Sequence, residues 1–512
     1  MCGVLYTNGR SISEKDFRDA LQMMLHRGPD VEPGYLSQGS NKLGHTRLKI
    51  LDLDDRSNQP FWSHDKRHVM AFNGEVYNYR ELAKEYNIST NTTSDTEVLI
   101  ELYSMLGPKM LKLLNGMFAI VILDTKTNDV FVARDRLGIK PLYYYQNVDG
   151  IILASEIEPV IKLTGKTKLD DIGLRQYRKL RTFFNGRTAY SDIKMFPAGH
   201  YMLNGKFRRY WRLPEAQQSP PEEEELRELI VSAVHYRCIS DVPVGSYLSG
   251  GLDSTIVAAL ASKPHTWTVG FQDFNEFEWA RLASERNRYI HSEVLIDEEE
   301  FVSLAKFMIK KRKEPLSVPN EVLLYKMTLA VKKKNTVILS GEGADELFFG
   351  YDRIFRWAAN NPWDIAEFSK LYSYGSNDDL EIVRDAVGPF LHYGRAIDIV
   401  AAFFQIAHLH GLLRRLDNST MLCSVEARVP FVDHRLVERM AGVPFDYRME
   451  NGVVKSPLKQ AFKQIVPQEI IDRVKLGFPA PLDSIPFGSG SGTPMDNWLV
   501  FNLNQLKQCH TA

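Results

Sequence analysis

Short apolar runs separated by turn residues make up most of the first two hundred residues of the chain. The clearest runs are residues 69–72, 118–123, 130–133, 142–145 and 151–154. Runs of this length, bounded by Gly, Asn and Asp, predict the strands of antiparallel sheets. Helical periodicity over residues 14–26, and over residues 96–106 behind the capping residue Ser94, predicts helices packed against them. The pattern therefore predicts an α+β sandwich.

A polar segment, residues 211–225, interrupts this pattern with three prolines followed by four glutamates. Its composition is typical of a linker that leads into a helix with an acidic start. Beyond it, apolar strands at residues 244–248, 266–269 and 337–339 alternate with helical segments, which predicts a doubly wound parallel sheet. We therefore expect two domains, over residues 1–210 and 226–512.

Composition and charge disfavour several classes of binding partner and of structural site. The 512 residues carry 63 Lys and Arg against 64 Asp and Glu, a balance that disfavours nucleic acid and anionic membranes as partners. Cys2, Cys238, Cys423 and Cys509 lie far apart, which fits neither a disulfide framework nor a zinc site. The first ten residues lack a secretory signal, and no apolar stretch reaches the roughly 18 residues that cross a bilayer. We expect a soluble cytoplasmic protein.

The sequence SGGLDST at residues 249–255 follows a predicted strand and begins a predicted helix. Gly250 and Gly251 allow backbone N–H groups to close around an oxyanion, and the helix N-terminus and the Ser254 hydroxyl add to the attraction. The loop is neither a Walker A loop nor a GxGxxG loop. Taken alone, it fits pyrophosphate binding and an ordinary capped turn about equally well.

A second glycine-rich loop, SGEGADELFFGY at residues 340–351, also follows an apolar strand. Because ligands of open α/β sheets bind beyond the carboxyl ends of the strands, the two loops can face one nucleotide. Asp253 and Asp345 could then hold Mg²⁺ on a pyrophosphate, and Glu342 could act as a base. The alternative for these acids is a solvated acidic turn.

Cys2 becomes the first residue if Met1 is removed. A free α-amino group has a pKa of about 7.7 to 8.0, so one residue would then supply both a nucleophilic thiol and its base. Taken alone, a cysteine at position two is weak evidence for this chemistry and is more often incidental.

Six short motifs follow one another along the chain between residues 2 and 143. They are CGV at 2–4, HRGPD at 26–30, GHTRL at 44–48, FNGEVYN at 72–78, SDTE at 94–97 and ARDRLGIKPLY at 133–143. Together they resemble the glutaminase domain of class II, N-terminal-nucleophile glutamine amidotransferases, and the SGGLDS loop resembles that of ATP pyrophosphatases. The whole chain resembles the glutamine-hydrolysing asparagine synthetases. This resemblance implies an antiparallel α+β glutaminase sandwich followed by a doubly wound parallel-sheet α/β ATP pyrophosphatase domain.

For the first domain, the resemblance implies that Cys2 attacks the amide of glutamine while Asn73 and the Gly74 N–H stabilise the oxyanion. Arg47 would bind the glutamine carboxylate, although an isolated Arg more often forms a surface salt bridge. Glu75 and Asp95 would receive the ammonium group. The implied glutamine-binding set is Arg47, Leu48, Lys49, Ile50, Leu51, Asn73, Gly74, Glu75 and Asp95.

For the second domain, the resemblance implies that Lys455 steadies the phosphate charge that develops during adenylation and that Glu342 is catalytic. Asp253 and Asp345 are the implied Mg²⁺ ligands. The string EARVPF at residues 426–431 is placed near the domain interface without assigned chemistry. The implied ATP-binding set is Leu248, Ser249, Gly250, Gly251, Asp253, Ser254, Val269, Ser340 and Gly341.

The expected reaction is the ATP-dependent conversion of aspartate and glutamine to asparagine, glutamate, AMP and pyrophosphate, and the resemblance also raises a homodimer as an expectation. Residues 314–321 depart from the pattern with which asparagine synthetases shape the acceptor pocket. The same chemistry on a sugar, peptide or secondary-metabolite precursor therefore stays open. A regulatory or binding protein without catalysis is disfavoured by the complete set of site residues, and tRNA modification is disfavoured by the charge balance and the N-terminal glutaminase motifs.

Overall fold

The structure is a computed structural model that describes residues 2–262, 264–374, 378–473, 480–487 and 492–511. Its strands are β1 (Gly3–Thr7), β2 (Gly34–Gln38), β3 (Asn41–Thr46), β4 (Phe61–Trp62), β5 (His68–Val76), β6 (Gly116–Asp124), β7 (Val130–Arg134), β8 (Tyr143–Gln146), β9 (Ile151–Ala154), β10 (Lys194–Met195), β11 (His200–Leu203), β12 (Lys206–Arg209), β13 (Val244–Tyr247), β14 (His265–Gly270), β15 (His291–Leu295), β16 (Val337–Leu339) and β17 (Glu426–Arg428).

The helices follow in the same chain order. They are α1 (Glu14–Gln22), α2 (Tyr79–Glu85), α3 (Asp95–Leu106), α4 (Ile157–Thr164), α5 (Asp171–Leu180), α6 (Glu223–Arg237), α7 (Leu252–Leu260), α8 (Phe277–Asn287), α9 (Glu298–Arg312), α10 (Asn320–Val331), α11 (Ala344–Leu347), α12 (Asp352–Asn360), α13 (Ile365–Tyr372), α14 (Leu380–Val387), α15 (Ala396–Phe403), α16 (Leu409–Met421), α17 (His434–Met440), α18 (Phe445–Arg448), α19 (Ser456–Phe462), α20 (Gln468–Asp472) and α21 (Pro494–Thr511).

Two six-stranded antiparallel sheets form the N-terminal part of the chain. Their strand orders are β10-β8-β9-β1-β3-β2 and β12-β11-β7-β6-β5-β4. Val69 and Val121 of the second sheet pack with Val4 of the first in one core, because side chains of alternating residues share a face. Phe72 and Ile120, on the other face, pack beneath α2 and α3. Both faces of β5 and β6 are therefore buried, which explains their continuous apolar runs.

The five strands of the C-terminal sheet are all parallel, in the order β15-β14-β13-β16-β17. Helix α7 connects β13 to β14, and α8 connects β14 to β15, whereas the later strands lie on the other side of β13. The direction of winding thus reverses between β13 and β16, and the loops at residues 248–254 and 340–345 leave the sheet at this switch point. The predicted combination of an antiparallel sandwich and a doubly wound parallel sheet is confirmed.

The first predicted helix ends earlier than the sequence pattern indicated. Helix α1 stops at Gln22, and residues 25–27 form a separate 3₁₀ turn that carries Arg27 into the interior. Gly28 follows because a Cβ there would lie 2.5 Å from backbone atoms of Thr46 and Arg47. The second predicted helix does begin behind Ser94, whose side chain accepts a hydrogen bond from the Thr96 N–H at 3.2 Å.

One long helical stretch, residues 396–421, joins α15 to α16 through a π turn. By length and composition it could cross a bilayer, but half of its most apolar window is buried within the protein. Its Arg414 and Asp417 are also buried and form ion pairs with Glu314 and Arg27. We therefore describe it as a core helix.

Buried ion pairs join the antiparallel part to the parallel part. Arg27, which is fully buried, donates to Asp417 Oδ2 of α16 at 3.0 Å and to Glu156 at 3.1 Å. Lys140 Nζ lies 3.7 Å from the other oxygen of Asp417. Asp417 thus balances two cations that have no access to water, and removing its charge leaves both undercompensated.

We expect Asp417→Asn to lower the stability of the chain by about 3 kcal/mol, the usual cost of breaking a buried ion pair. The measurement is the shift of the urea unfolding midpoint followed by tryptophan fluorescence. Glu381→Gln is the matched control, because Glu381 pairs with Arg175 at 2.6 Å but its side chain is 75% exposed. Equal shifts for the two variants would contradict the structural role of Asp417.

Candidate active sites

A small cavity lies beside Cys2 at the start of β1. Its lining residues are Cys2, Arg47, Leu48, Ile50, Leu51, Ser57, Gln59, Phe72, Gly74, Glu75, Ser94, Asp95, Thr96 and Glu426. Most of the residues implied for glutamine binding are therefore brought together. Lys49 and Asn73 are not among its lining residues. The Lys49 backbone N–H donates to Asp30 and its Nζ donates to Asp55, both at 2.8 Å, whereas Asn73 Oδ1 accepts the Cys2 N–H.

Asn73 holds the backbone of Cys2 at this cavity. The Cys2 N–H donates to Asn73 Oδ1 at 3.2 Å, and the Cys2 carbonyl accepts from Arg27 Nε at 3.1 Å. Among the described residues, the buried Nδ2 of Asn73 has no hydrogen-bond partner. Burial raises the pKa of the Cys2 thiol above its ordinary value. The site therefore combines a thiol that needs a base with an amide donor that has no acceptor.

Gly74 is required by the close approach of a neighbouring strand. Its φ is +154°, and a Cβ at this position would lie 2.0 Å from the carbonyl oxygen of Met117 on β6. No other residue fits without moving β5 from β6. The Gly74 N–H thus stays next to Asn73 at the wall of the cavity.

Arg47 is buried, and its guanidinium faces the loop that follows it. Nη1 donates to Asp54 O at 2.8 Å and to Asn58 Oδ1 at 2.6 Å, and Nη2 donates to the carbonyl oxygens of Leu51 and Asp52. Within the described part of the chain it forms no ion pair with a carboxylate, so it is not a surface salt bridge. A ligand carboxylate at Arg47 would share the guanidinium with these loop oxygens.

Three carboxylates and one guanidinium form the acidic end of the cavity. Asp95 accepts the Val76 N–H at 2.8 Å, and burial raises its pKa to about 6. Burial, together with the charge of Asp95, also raises the pKa of Glu75. Arg428 lies 3.3 Å from Glu75 and donates to Glu426 at 2.6 Å. Burial opposes ionisation of Glu426, but Arg428, the chain's N-terminal ammonium and Lys140 together hold its pKa below the ordinary value.

Glu426 is a wall residue that the sequence analysis left without a role. It lies on β17 of the parallel sheet, whereas Cys2 and Glu75 lie on the antiparallel sheets. Only the packing of the two parts brings these residues together. The string at residues 426–431 was the available sequence signal, and it gave a location near the interface but no chemistry.

The two glycine-rich loops meet at the switch point of the parallel sheet. A Cβ on Gly341 would lie 3.0 Å from Ser254 N and 3.1 Å from Asp253 Cβ, so the second loop touches the first. Gly250 has a φ of +71°, and a Cβ there would lie 2.4 Å from the backbone of Trp279. The Ser254 hydroxyl lies 3.1 Å from that of Ser249 and also accepts the Ser249 N–H.

The remaining residues implied for ATP binding lie where these loops begin. Leu248 directly follows β13 and donates its N–H to Trp267 O at 2.8 Å, and Val269 lies on the adjacent strand β14. Both side chains are buried. Ser340 follows β16 and donates its N–H to Arg428 O at 2.9 Å. The carboxyl edge of the sheet thus carries an apolar floor beside the polar loops.

Lys455 bridges the two loops. Its Nζ donates to Asp253 Oδ2 at 2.5 Å and lies 2.6 Å from Asp345 Oδ1. Burial disfavours the charge of Lys455, but the two carboxylates outweigh burial and raise its pKa. The described residues hold no cluster of three or more His, Cys, Asp or Glu suited to a metal. Two adjacent carboxylates nevertheless fit Mg²⁺, which commonly takes one or two protein carboxylates and completes its shell with phosphate and water.

Glu342 is held by a residue that the sequence analysis did not single out. Arg415 of α16 donates to Glu342 Oε1 at 2.7 Å. Nearby, burial and the charge of Asp345 raise the pKa of Glu346 to about 8, and the Tyr351 hydroxyl donates to Glu346 at 2.6 Å. Nothing in the spacing of the sequence could pair Arg415 with Glu342, because the helix that carries it comes more than sixty residues later.

Residues 314–321, the segment that departs from the acceptor-pocket pattern, are held by hydrogen bonds at both ends. The Tyr143 hydroxyl donates to Glu314 at 3.2 Å, and the Ser317 N–H donates to Glu321. Between them, the Leu316 N–H donates to Asn502 of α21 at 2.9 Å. Arg414 and Arg312 supply the charges that balance the two glutamates.

Comparison with known proteins covers both parts of the chain. Residues 1–211 match the family model described as a glutamine amidotransferase domain, and residues 225–500 match the model described as asparagine synthase. Asparagine synthetase [glutamine-hydrolyzing] 1 of Bacillus subtilis (strain 168) is 30% identical over 90% of this chain and 83% of its own length.

Two further relatives cover 69% and 89% of the chain. A putative asparagine synthetase [glutamine-hydrolyzing] 2 of Methanocaldococcus jannaschii is 31% identical over 69% of this chain and 76% of its own length. Asparagine synthetase B of Escherichia coli (strain K12) is 27% identical over 89% of this chain and 77% of its own length. The antiparallel sandwich with the Cys2 site comes first along the chain, and the parallel sheet with the two glycine-rich loops follows, in the order of the two family matches. The chain belongs to the asparagine synthase family and carries a glutamine amidotransferase domain ahead of its synthase region.

Proposed function

We propose that this protein is a glutamine-hydrolysing asparagine synthetase, which converts aspartate, glutamine, ATP and water to asparagine, glutamate, AMP and pyrophosphate. The observation that carries the proposal is the position of Cys2, which lines a cavity that Glu426 of the parallel sheet also lines, and whose backbone N–H donates to Asn73, a residue with a buried Nδ2 that has no partner among the described residues. A donor without an acceptor next to a thiol suits a developing oxyanion. Because Glu426 belongs to the parallel sheet, the cavity for this chemistry is formed jointly with the synthase region.

In the first half-reaction, Cys2 Sγ attacks the side-chain amide carbon of glutamine. With Met1 removed, the α-amino group of Cys2 takes the thiol proton and passes it to the departing nitrogen, so ammonia leaves and a thioester remains. Asn73 Nδ2 and the Gly74 N–H bind the oxyanion. Water then hydrolyses the thioester to glutamate. Because burial raises the pKa of the thiol, this base is needed at neutral pH.

Opposite charges at the two ends of the cavity would orient glutamine. Its carboxylate binds Arg47 and the backbone at residues 48–51, and its ammonium binds Asp95 and Glu75. The acidic end suits a cation because Arg428 neutralises only part of the charge of three carboxylates. This places the side-chain amide toward Cys2.

In the second half-reaction, the loop at residues 249–254 binds the phosphates of ATP, and Leu248, Val269, Ser340 and Gly341 contact the adenine and ribose. Asp253 and Asp345 would hold Mg²⁺, which neutralises pyrophosphate charge when it is bound. The β-carboxylate of aspartate attacks the α-phosphorus, so that a phosphoanhydride bond breaks and pyrophosphate leaves. Lys455, which pairs with both of these carboxylates, would then neutralise part of the increasing negative charge.

Ammonia from the first site then attacks the acyl adenylate. A C–N bond forms, the C–O bond to AMP breaks, and Glu342 takes the surplus proton. For this step Glu342 must loosen its ion pair with Arg415. Neutral ammonia needs a path through the interior, since in water at neutral pH it is mostly ammonium. We further propose that the enzyme acts in the cytoplasm.

The same chemistry on another carboxylate is the second candidate. It is favoured by the residues at 314–321, where Glu314 and Glu321 are already balanced by Arg414 and Arg312. No free charge for aspartate is evident in this segment as far as the structure describes it. The identity of the amide product separates the two candidates.

Cys2→Ala should abolish synthesis from glutamine and leave synthesis from ammonium chloride within about twofold, because only the nucleophile for glutamine is lost. Glutamate, asparagine, AMP and pyrophosphate are measured together by mass spectrometry on protein without an N-terminal tag. Cys238→Ala is the matched control and should keep both activities. Glutamate formation that persists in Cys2→Ala would refute the proposed nucleophile, and glutamate without asparagine in the unmodified protein would favour the second candidate.

Lys455→Ala should lower AMP and pyrophosphate formation by at least a hundredfold, because Asp253 and Asp345 would then repel the phosphates. Glutamine hydrolysis measured without ATP should stay unchanged. Lys459→Ala, one turn further along α19, is the control and should retain AMP formation. An unchanged AMP rate in Lys455→Ala would remove Lys455 from the ATP site.

The KM for glutamine should rise as pH falls below about 6, because Asp95, whose pKa is raised to about 6, loses the charge that binds the ammonium group. Above this pH Asp95 is ionised and the KM should level off. Asp95→Asn should show a high KM with a weaker pH dependence between pH 5 and 7. The measurement is initial glutaminase rates at fixed ionic strength. A wild-type KM that is constant over this range would contradict the role of Asp95.

A further inference from the structure

His45, in the GHTRL motif at residues 44–48, has no role in the two proposed half-reactions. It lies on β3 directly opposite Val4 of β1, and its side chain is buried. It is not among the residues that line the cavity beside Cys2. A buried polar side chain needs a hydrogen-bond partner, so the partner that His45 has indicates what it does.

The imidazole of His45 crosses from one sheet of the sandwich to the other. β3 belongs to the first sheet, and His45 Nε2 lies 3.1 Å from the carbonyl oxygen of Phe72 on β5 of the second sheet. Because a carbonyl oxygen only accepts, Nε2 carries the proton and donates it. Burial lowers the pKa of His45 to about 3, so the ring is neutral and donates from this nitrogen alone. The bond is a directed contact between two sheets whose shared core consists of apolar side chains.

Phe72 needs this partner because of its place at the edge of β5. In the described part of the chain, β4 pairs with β5 only at Val69 and Met70, so side chains replace the missing strand at Phe72. Gln59 Oε1 accepts the Phe72 N–H at 2.7 Å, and His45 binds the Phe72 carbonyl. Both polar groups of the Phe72 backbone are therefore held.

This contact closes a ring of contacts around the Cys2 site. Cys2 lies two residues before Val4, which pairs with His45. The Phe72 carbonyl and the Asn73 N–H belong to one planar peptide unit, so holding the oxygen fixes the direction in which the backbone enters Asn73. The ring is completed by the Cys2 N–H, which donates to Asn73 Oδ1 at 3.2 Å.

The nucleophile and the proposed oxyanion donors lie on different sheets. Cys2 directly precedes β1, whereas Asn73 and Gly74 lie on β5. Apolar packing between sheets has no preferred direction, and a displacement of about 1 Å between reacting groups can cost about a hundredfold in rate. We propose that His45 is a positioning residue for glutamine hydrolysis: its hydrogen bond to Phe72 sets the oxyanion donors relative to the Cys2 thiol. This role rests on the proposed function of the Cys2 cavity.

The first measurement is glutamine hydrolysis by variants of the full chain without an N-terminal tag. His45→Gln carries an amide nitrogen as many bonds from Cβ as Nε2 is, whereas the nitrogen of His45→Asn lies one bond short. We expect His45→Asn to lower kcat by about tenfold or more and His45→Gln to stay within about threefold of the unmodified protein. His68→Asn, at the start of the same strand β5, replaces another buried histidine and is the matched control, expected to stay within about twofold.

The second measurement separates displacement of the oxyanion donors from damage to the thiol. Iodoacetamide alkylates a thiolate at a saturated carbon, so an S–C bond forms, iodide leaves and no oxyanion develops. The rate is followed by mass spectrometry of the N-terminal peptide. We expect Cys2 in His45→Asn to react within about twofold of its rate in the unmodified protein, because the thiol itself is intact. A general disturbance of the structure would change both rates.

Equal rates of glutamine hydrolysis in His45→Asn and the unmodified protein would overturn the proposal, and so would an equal loss in His45→Gln. Alkylation of Cys2 that slows in step with hydrolysis would also overturn it. If His45→Asn does not fold, His45→Met takes its place and the same loss is expected. Failure of the unmodified protein to hydrolyse glutamine would refute the proposed function and this inference with it, whereas hydrolysis that is indifferent to His45 would refute this inference alone.

Discussion

The buried guanidinium of Arg428 is the contact on which the relation between the two sites depends. It is fully buried, donates to Glu426 on its own strand, lies 3.3 Å from Glu75 on β5, and donates to the carbonyl oxygens of Arg237 and Ile239. A charge in this position is tolerable only because carboxylates and carbonyl oxygens surround it. The carbonyl of the same residue accepts the Ser340 N–H at the first position of the second glycine-rich loop. One residue thus touches the acidic end of the Cys2 cavity and the edge of the parallel sheet.

The long helical stretch at residues 396–421 repeats this linkage on a larger scale. Gln405 is buried in its π turn, Arg415 holds Glu342, and Asp417 balances Arg27, which in turn donates to the Cys2 carbonyl. A rigid helix keeps these three side chains at fixed spacing. Displacement of the helix along its axis would therefore be felt at every one of these places.

Most of the secondary structure and of the local motifs could be predicted from the sequence. The strands were readable because buried runs such as those in β6 are continuous, and the helix behind Ser94 was readable from its cap. The residues around Cys2 and in the two glycine-rich loops were found through motifs, and most of the glutamine-binding set does line one cavity. Lys49 does not line that cavity, because neighbours in sequence need not point to the same side of a loop. The pairs Arg428–Glu75, Arg415–Glu342 and Asp417–Arg27 could not be predicted, because their members lie far apart in the chain and meet only through the tertiary fold.

Glu426 gives the cavity beside Cys2 a wall that the N-terminal part of the chain does not possess. The two parts therefore cannot be exchanged freely between members of the family. If the N-terminal part were combined with the synthase part of another family member, Glu75 would contact a different strand in place of Arg428 and Glu426. A buried charge would then lack its partner, or the cavity wall would be incomplete. The two parts are therefore expected to evolve together, because a substitution on one side of their boundary requires a compensating substitution on the other.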